Sequence, residues 1–143
     1  MSEPLVVAEE LEREYRMGPE PVRVLRGVSL TVNAGESVAI IGASGVGKST
    51  LLHLLGTLDR PTSGRVIFDG EDVSTRTDAA LARLRRTEVG FIFQFYNLLG
   101  EMTALENAML PALLQRASVP EARDRAAAST WWSASIVFIF MYG

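Results

Sequence analysis

An α/β layered fold is predicted by three observations. Short apolar runs with strand character alternate with helical patterns along the 143 residues. One run, residues 37–41, is almost continuously apolar, the pattern of a strand buried on both faces of a parallel sheet flanked by helices. A glycine-rich loop then joins that run to a leucine-rich helical pattern, giving a strand–loop–helix unit.

The elements follow in order. Residues 9–16 (E-E-L-E-R-E-Y-R) are charged, with Leu11 and Tyr15 as the apolar points. Residues 17–21 carry two prolines and a glycine and read as a turn. Residues 22–32 read as extended, because Val28, Leu30 and Val32 alternate with Ser29 and Thr31. Asn33-Ala34-Gly35-Glu36 is a tight turn, and the strand over 37–41 follows it. The helix after the loop carries Leu51, Leu52, Leu54 and Leu55 and stops at Gly56. Residues 60–64 form a turn, and 65–68 a short strand closed by Asp69-Gly70. Residues 78–86 read as a helix, basic on one face, with Leu81 and Leu84 as its apolar stripe. Residues 89–93 form another strand, ending at Gln94. Thr103-Ala104-Leu105-Glu106 is a capping box opening a helix to about Leu114, which Pro111 is expected to kink. Ser118-Val119-Pro120-Glu121 is a second box, opening a helix through Ala128.

The loop satisfies G-x-x-x-x-G-K-[ST], filled by Gly42, Gly47, Lys48 and Ser49. A chance match is expected on the order of once in 200 chains of this length, and the flanking strand and helix make it rarer. Glycines let backbone N–H groups approach phosphate oxygens without a Cβ in the way. A helix starting near Gly47 directs its positive end at the same oxygens. Lys48 would reach the β- and γ-phosphates, and the Ser49 hydroxyl would ligate Mg²⁺.

Composition bounds the partners. The length suits one domain with a core, and 48% apolar with 22% charged residues is a globular balance. The net charge of −3, from 14 basic and 17 acidic residues, gives no basis for nucleic-acid binding by phosphate neutralisation. The absence of cysteine excludes disulfides and cysteine-based metal sites. The acidic start M-S-E-P-L-V-V-A-E-E lacks the basic and apolar regions of a secretory signal. No run approaches the roughly 18 apolar residues of a spanning helix. His53, the only histidine, has no partner ligands at helical spacing. The basic run Arg83, Arg85 and Arg86 reads as a solvated face.

Five pieces together resemble the ATP-binding subunit of an ABC transporter: Tyr15, V-L-R-G-V-S-L at 24–30, G-A-S-G-V-G-K-S-T at 42–50, L-D-R-P-T-S-G at 58–64 and F-I-F-Q at 91–94. Within that family, L-L-H-L-L-G-T-L-D-R-P-T-S-G and F-Q-F-Y-N-L-L-G-E-M-T-A-L-E-N-A-M-L-P are most similar to the lipoprotein-releasing and macrolide-export branch. That branch commonly has proline where this chain has Gly100. The resemblance implies a P-loop NTPase fold, an ABC-type nucleotide-binding domain lacking its C-terminal part. It implies ATP and Mg²⁺ as ligands, held by Gly42, Ala43, Ser44, Gly45, Val46, Gly47, Lys48, Ser49 and Thr50. Tyr15 would stack on adenine. Gln94 would reach Mg²⁺ with Ser49, meet the attacking water and sense the membrane subunit. Residues 95–106 would face the coupling helix of a transmembrane permease, with a place in the core as the equal alternative for their apolar residues. The intact family works as a homodimer of ATP-binding subunits, peripheral on the cytoplasmic face of the cell membrane.

The resemblance runs from Leu11 to Ala128, so residues 1–128 read as the N-terminal part of the domain and 129–143 as an apolar tail departing from it. The family's L-S-G-G-Q signature, its acidic Walker B strand and its switch histidine have no counterpart here. Val66-Ile67-Phe68-Asp69 fits such a strand superficially, but Gly70 follows and the pair reads as a hairpin turn. The tail has no charged residue, two adjacent tryptophans and the run I-V-F-I-F-M-Y, an aggregation signature. The expectation is a coding sequence disrupted near residue 129, with a natural short form as the competing account. By lineage the resemblance implies ATP-driven export. As it stands, the chain is expected to hold nucleotide without sustained turnover, since a missing acid and base cost a rate factor on the order of 10³. A different P-loop enzyme would need an acidic strand or base-reading motif of its own, and none is present.

Overall fold

The computed structural model describes residues 4–93 and 97–128, and the backbone of 136–139. Among these, the residues up to Leu81 form one compact unit and those from Ala82 a second. The first unit holds β1 (Pro4–Arg16), β2 (Pro21–Asn33), α1 (Lys48–Leu55), β3 (Ser63–Phe68) and β4 (Glu71–Asp72). The helix α2 (Asp78–Thr87) crosses the boundary. The second unit holds β5 (Val89–Ile92), α3 (Ala104–Leu114), α4 (Val119–Ala127) and β6 (Ile136–Ile139).

The strands of the first unit form an antiparallel sheet in the order β2-β1-β3-β4. Its central strand, β1, is the element that sequence patterning missed. Val6 and Ala8 are buried at period two, and then the register shifts between Ala8 and Leu11. Glu10 takes a positive φ of 47° there, and the extra residue returns Leu11, at an odd position, to the buried face. Charged residues around a bulge hide the alternation from a period-two search. Gly64 of β3 lies against this bulge: a Cβ on it would stand 2.3 Å from the Glu10 carbonyl oxygen. Leu51, Leu54 and Leu55 of α1 are buried together with Leu25, Val32, Val66, Phe68 and Val73. The Asp69-Gly70 turn, with φ of 47° and 77°, closes the β3–β4 hairpin as the sequence predicts.

The expected strand at 37–41 is corrected. These residues are in neither sheet among the described residues, and Val38 and Ile41 are 51% and 92% exposed. An apolar run becomes a strand only where another strand takes its hydrogen bonds. Here the antiparallel sheet closes without it, and the parallel pairing is made elsewhere.

That parallel pair is β5 with β6, in register from Val89↔Ile136 to Ile92↔Ile139. The crossover between them carries α3 and α4, as parallel strands require. Met109 and Ala112 of α3 and Ala122 of α4 are buried against one another, with Leu113, Ala117 and Ala126 packed beside them. The Thr103 box is complete: its hydroxyl accepts from the Glu106 N–H at 3.2 Å, and Glu106 Oε2 accepts from the Thr103 N–H at 2.8 Å. The bonds that this carboxylate accepts from the Thr103 N–H and from the Thr103 hydroxyl, each at 2.8 Å, hold the Glu106 carboxyl below its ordinary pKa. Of the second box one half is made. Ser118 accepts from the Glu121 N–H at 3.4 Å, while the Glu121 carboxylate pairs with Arg125.

Candidate functional site

The site grows from the start of α1. Gly47 caps the helix in the left-handed conformation (φ 100°, ψ 11°), and its carbonyl accepts the first helical bond, from the Leu51 N–H at 2.9 Å. Only glycine suits this position. A Cβ there would sit 3.0 Å from Val24 and Leu25 side-chain carbons and 3.1 Å from the Val24 carbonyl oxygen. The loop is thereby seated on β2.

Ahead of it, Gly45 is also left-handed at φ 80°. Gly42, Ala43, Ser44, Gly45 and Val46 are exposed, as is Ser49 in the first helical turn, while Thr50 is half-buried. Lys48 folds over the loop, its Nζ donating to the Gly42 carbonyl at 2.7 Å and the Ala43 carbonyl at 2.8 Å. An exposed loop with two left-handed glycines, a helix N-terminus and a lysine ammonium presents donors and positive potential to a polyanion. The nine loop positions expected from the sequence, 42–50, are contiguous in space as in sequence.

Tyr15 lies near the end of β1, paired with Val22 of β2. The loop touches β2 at Val24 and Leu25, so Tyr15 stands on the neighbouring strand, within a few residues of that contact. Its hydroxyl donates to Asp59 Oδ2 at 2.8 Å. Arg13 donates to Asp59 Oδ1 at 2.9 Å, and its guanidinium carbon lies 4.5 Å from the centre of the Tyr15 ring. Sequence reasoning missed Arg13 and Asp59. Once β1 is known as a strand, residues 13 and 15 share a face by period two, which is the signal for Arg13. Asp59, distant in sequence, carries none. Gln94 lies outside the described residues, as do Phe95 and Tyr96 of the segment expected to face a permease. Within the rest of that segment, Leu98 is 61% and Leu99 49% exposed.

The donor set fits Mg²⁺ in one respect. The exposed Ser49 hydroxyl is a hard oxygen beside the loop that Lys48 covers, and Mg²⁺ commonly takes its remaining ligands from phosphate and water. No cluster of three or more His, Cys, Asp or Glu side chains suited to a metal occurs among the described residues. His53 belongs to no such cluster; its backbone carbonyl accepts from the Leu58 N–H at 2.8 Å and the Asp59 N–H at 3.2 Å. Among the described residues, no helix is long and apolar enough to cross a membrane.

Known proteins give this geometry a context. Residues 25–136 match the family described as ABC transporter. The chain is 58% identical over 105 residues to the lipoprotein-releasing system ATP-binding protein LolD of Geobacter metallireducens, covering 73% of this chain and 47% of that protein. It is 50% identical over 125 residues to the macrolide export ATP-binding/permease protein MacB of Brucella abortus, covering 87% of this chain and 19% of that one. The chain thus spans about half the length of its LolD relatives and a smaller part of MacB. Among solved structures it is similar to the dimeric, post-hydrolysis ATP-binding cassette MJ0796 bound to ADP and Pi. There the TM-score is 0.81 at 40% identity, over 86% of this chain and 54% of that one.

Proposed function

The chain belongs to the ABC transporter family, and from that membership we propose that it is the nucleotide-gripping part of an ATP-binding subunit serving an exporter. The branch is that of lipoprotein release and macrolide export. The identity to LolD and MacB supports the branch. Residues 42–50 bind the triphosphate, Tyr15 takes the adenine, and Ser49 with Gln94 holds Mg²⁺. ATP binding closes two such subunits face to face, and hydrolysis by the whole protein reopens them. The dimeric MJ0796 structure with its ADP and Pi is the analogy for this step. The subunit sits on the inner face of the cell membrane through a permease partner, which receives the segment 95–106.

One observation carries the reading most directly. Lys48 Nζ lies 2.7–2.8 Å from two carbonyls of a left-handed glycine loop, at the N-terminus of a helix seated on β2. A lysine so placed can leave the carbonyls for phosphate oxygens that it meets as a charge-assisted donor. Isothermal titration of the chain with ATP in the presence of Mg²⁺ tests it. Lys48→Ala is expected to weaken ATP binding by roughly 10-fold or more. Equal affinity of the two chains would overturn the reading.

A further inference from the structure

We propose that Asp59, together with Arg13, positions the Tyr15 ring as the platform for the base of the bound nucleotide, and so ties the base site to the phosphate loop through α1. The inference rests on the assignment of Tyr15 to base stacking made above.

A tyrosine near the hairpin end of a strand has a ring that rotates unless something fixes it. Two contacts fix this one. Its hydroxyl donates to Asp59 Oδ2 at 2.8 Å, and the Arg13 guanidinium covers one ring face, its central carbon 4.5 Å from the centroid. The two contacts share an anchor, since Arg13 also bonds Asp59 at 2.9 Å. Arg13 Nε has no hydrogen-bond partner among the described residues, so the guanidinium is held by Asp59 and by the ring beneath it. Arg13 and Asp59 are mostly shielded, with 22% and 27% of their side-chain surface exposed.

Asp59 is itself fixed to the helix. It follows the C-terminus of α1, and its N–H donates to the His53 carbonyl at 3.2 Å. Its Oδ1 also accepts from the Arg60 N–H at 2.8 Å. The helix that opens at the phosphate loop is thus bonded, through a carbonyl of its last turn, to the residue that anchors the ring. A base meeting a ring already fixed loses less freedom on binding than one that must order it.

Titration calorimetry on the full chain, with ATP and with inorganic tripolyphosphate as separate ligands, tests the proposal. Tyr15→Phe removes only the hydroxyl, Asp59→Asn removes the charge and one acceptor, and Tyr15→Ala removes the ring. Tyr15→Ala is expected to weaken ATP roughly 10-fold, and Tyr15→Phe and Asp59→Asn each roughly 3-fold to 10-fold. The Tyr15→Phe/Asp59→Asn pair should lose less than the sum of the two single effects, because the two changes share the hydroxyl–carboxylate contact. Tripolyphosphate affinity should stay unchanged throughout. If Tyr15→Ala weakens ATP while Tyr15→Phe and Asp59→Asn do not, the anchor is refuted and the base reading stands. If Tyr15→Ala has no effect, both fall. Equal losses for ATP and tripolyphosphate would mean a merely structural contact and would also overturn the proposal. Tyr15→Phe decides the matter alone should Asp59→Asn fail to fold.

Discussion

Gly47 is seated on Val24: a Cβ at position 47 would meet Val24 Cγ1 at 3.0 Å and the Val24 carbonyl oxygen at 3.1 Å. The motif's second glycine therefore serves the approach of loop to sheet.

Gly47→Ala follows from this. The residue holds φ at 100°, which a Cβ makes costly by roughly 1–3 kcal/mol, and Val24 blocks relaxation toward the sheet. Thermal unfolding should show a lower midpoint, and titration with ATP a loss of about 10-fold or more as the first N–H groups turn away. Unchanged values in both measurements would contradict the seating.

Gly64 and Gly70 make a matched pair. Both have positive φ, 79° and 77°. A Cβ at Gly64 would stand 2.3 Å and 2.5 Å from the carbonyl oxygens of Glu10 and Glu9, whereas one at Gly70 meets nothing within 4 Å. Gly64→Ala should cost roughly 2–4 kcal/mol in urea unfolding, and Gly70→Ala about 1 kcal/mol. Equal losses would show that the bulge in β1 yields to the added methyl.

Asn107 organises the segment before α3. Its Oδ1 accepts from the Leu99 N–H at 2.8 Å, and its Nδ2 lies 3.0–3.1 Å from the carbonyls of Leu99, Met102 and Thr103. Asn107→Ala should loosen residues 99–103 by roughly 1–3 kcal/mol. Amide exchange at Leu99 and its neighbours should accelerate, while exchange in α4 stays as it was.

The cap of α3 is pH-dependent. Backbone and side-chain bonds from Thr103 lower the folded pKa of Glu106, so its contribution is present above the unfolded value of about 4.3 and is lost as pH falls through the folded value. Amides in the first turn of α3 should exchange faster in Glu106→Gln than in the parent at pH 6. The difference should shrink below about pH 4 as the parent is protonated. A difference constant with pH would rule out the carboxylate as its source.

Local chemistry was legible wherever neighbours in sequence decide it. The α1 boundaries, the Asp69-Gly70 turn, the Thr103 cap and the loop 42–50 all depend on residues a few positions apart. The strand over 37–41 was not legible, because its apolar run is only half of a pairing whose other half must come from another strand. β1 escaped notice because a bulge breaks its alternation at Glu10. Asp59 was invisible beside Tyr15, since a contact between residues 44 positions apart leaves no local pattern, and Arg13 shares a face with Tyr15 only once β1 is known to be a strand.

By itself, then, the sequence determined the family, the glycine loop at 42–50 and the helix that follows it, since these are set by spacing and by φ requirements written into single residues. Only the tertiary structure decided which strands pair and what holds the Tyr15 ring. Ladder bonds and side-chain anchors join distant residues, and their partners are chosen by packing rather than by neighbours along the chain.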